Sequence, residues 1–68
     1  MIQLTRLNNQ VLLVNPDLIK FVERSPDTVI TLIHGEKIVV LESVEEVATR
    51  VMEFRRQLAR AAVSPQAG

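Results

Sequence analysis

Apolar and polar residues alternate through Ile2-Gln3-Leu4-Thr5, placing Ile2 and Leu4 on one face and Gln3 and Thr5 on the other. That period of two predicts a half-buried strand running to Leu7. Asn8-Asn9 follows as a hairpin turn, because asparagine tolerates left-handed backbone. Val11-Leu12-Leu13-Val14 is apolar on both faces, which suits a central strand or one covered on its far side by another subunit. Asn15-Pro16-Asp17 then breaks the sheet, since proline has no N–H for a ladder and holds Asn15 out of the helical region. Leu18 to Arg24 reads two ways: Leu18, Phe21 and Val22 have helical spacing behind an Asn15-Pro16 cap, while alternation of Ile19, Phe21 and Glu23 against Leu18, Lys20 and Val22 gives a strand, the reading adopted. Ser25-Pro26-Asp27 is a second turn.

Thr28 to Ile33 and Lys37 to Leu41 are rich in β-branched residues, whose stiff χ1 rotamers favour a pleated surface. His34-Gly35 between them predicts a two-residue hairpin, with Gly35 supplying positive φ at no steric cost. Ser43-Val44-Glu45-Glu46 fits a capping box in which the Ser43 hydroxyl and the Glu46 carboxylate satisfy two otherwise unpaired N–H groups. Behind it Val44, Val47, Val51, Phe54 and Leu58 recur at alternating spacings of three and four, the stripe of an amphipathic helix. A helix from Val44 to Ala62 is about 28 Å long, whereas short strands span about 17 to 20 Å. The end of the helix is therefore expected to overhang the sheet. Phe54, Leu58 and Ala61, with Arg50 and Arg55 beside them, become the candidate surface for a second subunit or a partner. The fold class expected is α+β: an antiparallel meander of about five short strands followed by one C-terminal α-helix. Residues 1–62 form a single domain, and 63–68 are expected to fray as a disordered tail.

Composition narrows the chemistry. The chain has 68 residues, 47% of them apolar, and few aromatics, so a core of this size is marginal alone and part of the apolar surface is expected to lie between subunits. It has no cysteine and one histidine, which removes disulfides, thiolate metal sites and a structural zinc site. Eight basic residues balance eight acidic ones, so no global field attracts polyanions. Glu45 and Glu46 in the first helical turn and Arg50, Arg55, Arg56 and Arg60 later complement the helix dipole, with Glu46 and Arg50 spaced as an i,i+4 pair. The same basic end suits docking onto an acidic partner. Glu36, Glu42, Glu45 and Glu46 read as a solvated rim plus a cap rather than a metal site. His34 lacks a nucleophile to activate, and no glycine-rich phosphate loop exists, so no enzyme, cofactor or small-molecule substrate is expected. Without a signal sequence or a membrane-length apolar run, the chain reads as cytoplasmic with no membrane insertion.

Several runs together carry a family resemblance: Met1-Ile2-Gln3-Leu4-Thr5-Arg6-Leu7-Asn8, Asn15-Pro16-Asp17-Leu18-Ile19, Ser25-Pro26-Asp27-Thr28-Val29-Ile30-Thr31-Leu32, and Gly35-Glu36-Lys37-Ile38-Val39-Val40 leading to Glu42-Ser43-Val44-Glu45-Glu46-Val47. Over nearly all of residues 1 to 58 the chain resembles the small bacterial flagellar proteins called FlbD or SwrD. The resemblance implies a non-enzymatic cytoplasmic protein of flagellar motility that supports motor power through the stator or the cytoplasmic face of the motor base. It supplies no binding residues. The Arg-rich helix end and Ala61 to Gly68 fall outside the shared pattern. A second likeness, of Met1-Ile2-Gln3-Leu4-Thr5-Arg6 and the strands-then-helix plan, is to the CsrA/RsmA regulators, and implies RNA binding through the first strand and the end of the last. Leu7 and Glu42-Ser43 stand where those proteins carry basic residues, so nucleic acid is the weaker expectation.

Overall fold

The computed structural model describes residues 1–63, with side chains through Ala61. Five short antiparallel strands precede one C-terminal helix, the α+β arrangement expected from the pattern: β1 (Ile2–Thr5), β2 (Val11–Val14), β3 (Ile19–Arg24), β4 (Thr28–Leu32), β5 (Lys37–Val40) and α1 (Val44–Val63). Val63, placed by the sequence in the tail expected at 63–68, is helical; 64–68 lie outside the described residues.

The strands divide into two sheets, β1-β2 and β3-β4-β5. Between β2 and β3 the chain makes one 3-10 turn, Pro16–Leu18, with Asn15 Oδ1 accepting from the Asp17 N–H at 3.0 Å. The strand reading of Leu18 to Arg24 holds from Ile19 onward, while the Asn15-Pro16 cap starts only a three-residue helical turn that ends at Leu18. A second join links the sheets: Arg6 forms an antiparallel bridge with Val40, and the Leu41 N–H donates to the Thr5 carbonyl at 2.8 Å. The end of β5 therefore meets the end of β1 at a corner.

Both tight hairpins use one geometry. In the first, Arg6 N–H donates to the Gln10 carbonyl and Asn9 N–H to the Arg6 carbonyl, each at 2.9 Å, with Asn9 at φ 70°. In the β4-β5 hairpin, Leu32 N–H donates to the Glu36 carbonyl and Gly35 N–H to the Leu32 carbonyl, each at 2.8 Å, with Gly35 at φ 96°. Each is a three-residue loop closed by one left-handed residue, the turn that ends in a bulge. This corrects the two-residue loop expected at His34-Gly35. Ile33 leaves the strand to enter the loop, its N–H turning to the Leu18 carbonyl, and only Gly35 needs positive φ.

Ile2, Leu4 and Val14 from one sheet meet Ile30, Leu32, Ile38 and Val40 from the other, and Val47 of α1 closes the core. Leu4, Ile30 and Val47 are fully buried. The alternation in β1 is realised, since Ile2 and Leu4 are inside while Gln3 is exposed. Strand β2 has a partner on one side only, so it is an edge strand; the central-strand reading of Val11 to Val14 does not hold.

Candidate functional site

Helix α1 begins with the capping box expected of it. Ser43 N–H donates to Glu46 Oε1 at 2.9 Å and Glu46 N–H donates to Ser43 Oγ at 3.0 Å. With Glu46 committed to the cap, Arg50 reaches elsewhere, and the i,i+4 pair does not form. Its Nη1 donates to the Gln3 carbonyl at 2.6 Å and to Glu42 Oε2 at 3.2 Å.

Glu42 departs most from expectation. It is not part of a solvated rim: only 9% of it is exposed, in the corner where β1 and β5 meet. Its carboxylate accepts from the Thr5 N–H at 2.9 Å and the Thr5 hydroxyl at 2.8 Å. Burial pushes the Glu42 carboxyl up, but the Thr5 main-chain and hydroxyl donors, its own N–H and the Arg50 guanidinium outweigh burial and leave its pKa below the ordinary glutamate value. These bonds satisfy main-chain groups of β1 that a neighbouring strand would otherwise have to meet. The sequence signal was available but ambiguous, because a Glu just before a helix cap reads equally well as a solvated residue.

Beyond this corner the helix changes character. Val47 is buried, Val51 and Phe54 are half-buried against the core, and Leu58 is 54% exposed. Ala61 is exposed, as are Arg55, Arg56 and Arg60. Among the predicted contact residues, Phe54 thus packs against the core, Leu58, Ala61 and Arg55 are exposed, and Arg50 is tied back to β1. Arg56 pairs with Glu53 at 3.0 Å. Grooves flank the helix on both sides. One, of ≈ 370 Å³, lies between the chain start and Arg50, Glu53 and Phe54; the other, of ≈ 280 Å³, is lined by Ile19, Val22, Ala48, Val51, Met52 and Arg55.

Neither groove gathers acid, base and nucleophile. His34 is exposed in its loop, and among the described residues no group of three His, Cys or carboxylate side chains could hold a metal ion. No described helix is long and apolar enough to cross a membrane.

Residues 1–59 match the family model of FlbD, the flagellar and swarming motility proteins. The chain belongs to the FlbD family. No curated protein and no solved structure matches it. The FlbD match ends at residue 59, so it takes in the capping box, the Glu42 corner and the helix through Leu58, and stops short of Ala61. For an RNA-binding reading, the junction of the first and last strands would have to be cationic; in this FlbD-family chain it holds the Glu42–Arg50 ion pair, in which the carboxylate offsets the guanidinium.

Proposed function

We propose that this flagellar and swarming motility protein is a non-enzymatic, self-associating cytoplasmic adaptor that presents the far half of α1 to a protein of the flagellar motor or its stator. The observation that carries the reading is the overhang. The stripe that buries Val47 and half-buries Phe54 continues beyond that packing as Leu58 and Ala61, where Leu58 is 54% exposed among Arg55, Arg56 and Arg60. An apolar ridge with a basic border fits an acidic, partly apolar protein surface, with the arginines steering the encounter and the ridge holding it. The family supports the flagellar setting.

A photo-crosslinker placed at Leu58 in motile cells tests the contact. The expected result is a covalent adduct with a motor or stator protein, and swimming torque that falls on Leu58→Asp. Unchanged swimming speed and torque after deletion of the whole gene would remove the motor role.

A further inference from the structure

Every sheet edge but one is occupied or guarded. The side of β1 facing away from β2 is largely occupied, since the Gln3 carbonyl accepts from Arg50, the Thr5 N–H donates to Glu42, and the Thr5 carbonyl accepts from the Leu41 N–H. Strand β5 meets that corner at its end through the Arg6–Val40 bridge, the rest of its four-residue outer edge carries the exposed charge of Lys37, and β4 lies between two partners. The outer edge of β3 carries a register shift between Ile19 and Phe21 and exposed Lys20, Glu23 and Arg24, the bulge and charges that keep an edge from pairing.

The edge of β2 has neither device. Because Arg6 bonds Gln10 across the hairpin, with Leu4 opposite Leu12, the residues of β2 that face β1 are Leu12 and Val14. Val11 and Leu13 therefore aim their main-chain N–H and C=O groups outward, and among the described residues nothing bonds them. The two residues are 62% and 61% exposed. Val11 to Val14 carries no charge, and its flanks, Asn8, Asn9, Gln10 and Asn15, are neutral. Two copies of this edge thus meet without the like-charge repulsion that normally separates identical surfaces.

From this edge we infer that the chain dimerises by antiparallel β2-to-β2 pairing about a twofold axis at Leu12. The proposal rests on the self-associating reading above and specifies its surface. Pairing about Leu12 sets Val11 opposite the partner's Leu13 and Leu13 opposite the partner's Val11. Both outward residues of each copy then exchange their N–H···O=C bonds. The two sheets become one, ordered β1-β2-β2-β1. On its outer face the Val11 and Leu13 side chains of both copies form an apolar centre, flanked by Gln3 and Thr5. Only this register uses both open residues on each side.

Light scattering on the full chain tests the pairing through charge. The wild type should run as a dimer at micromolar concentration. Val11→Lys with Leu13→Lys sets like charges opposite each other and should raise the dissociation constant by more than about tenfold. Val11→Glu with Leu13→Lys sets opposite charges across the same pairs and should restore the dimer. An unchanged circular-dichroism spectrum identifies variants that keep the fold. As a measurement independent of those variants, Leu12→Cys in this cysteine-free chain should oxidise to a covalent dimer, since a non-hydrogen-bonded antiparallel pair lies within disulfide reach. A wild-type monomer would overturn both this pairing and the self-associating reading. A dimer that ignores the lysines and forms disulfide through Leu58→Cys but not Leu12→Cys would overturn the pairing alone and move the interface to the helix.

Discussion

Two single residues show how backbone and charge demands decide what side chain can stand at a position. Gly35 holds φ 96°, and a Cβ added there would meet nothing within 4 Å, so any cost of substitution comes from backbone strain and not from crowding. Gly35→Val should destabilise the protein by more than about 1 kcal/mol, read from urea unfolding, because positive φ is costly for a β-branched residue. Asn9 holds the equivalent position in the first hairpin at φ 70° with a residue that tolerates it, which is why Asn8-Asn9 was legible as a turn. Glu42 was not legible. The residue type gives no hint that the Thr5 donors lie across the corner, 37 positions away in the chain. Glu42→Ala strands the Thr5 N–H and should cost about 1 to 3 kcal/mol near neutral pH. The pH dependence follows from the sign of the shift. The Glu42 carboxyl is held below its ordinary value of 4.5. Its contribution is therefore complete above that value and disappears as pH falls through the lowered one. The gap between thermal melts of the wild type and Glu42→Ala should accordingly narrow in acid and be constant at higher pH.

At the scale of elements, α1 is two structures in one helix. Its first half is a packing element, capped by Ser43 and Glu46 and anchored by fully buried Val47. Its second half extends the same stripe into solvent. A periodic stripe reports only that one face is apolar; where the cover ends depends on how long the strands are and where the helix starts across them. The two halves should respond differently to truncation. Val47→Ala leaves a cavity and should cost about 2 kcal/mol in chemical denaturation, while Leu58→Ala should stay within about 0.5 kcal/mol of wild type. Equal losses at both positions would mean that Leu58 is covered in the isolated protein. The strands show the same division. Alternation located β1, whereas the unbroken apolar run of β2 left two readings open, and the pairing pattern made it an edge.

For the whole molecule, the proposed pairing of β2 edges would share stability between copies whose own core is small. If association stabilises the native chain, the melting temperature of the wild type should rise with protein concentration, while that of the Val11→Lys, Leu13→Lys variant should stay flat. A concentration-independent wild type would assign all of the stability to the monomer. The sequence by itself determined the elements and their order, the turn residues, the capping box and the family, because each depends on contacts between residues a few positions apart or on runs read as strings. Only the tertiary structure decided that the strands split into two sheets, that Arg50 turns from Glu46 to Glu42 and Gln3, and that β2 is left with an open edge. Those outcomes depend on which distant main-chain groups still lack a partner once the sheets have met, and a donor or acceptor carries no mark in the sequence of whether it will be satisfied.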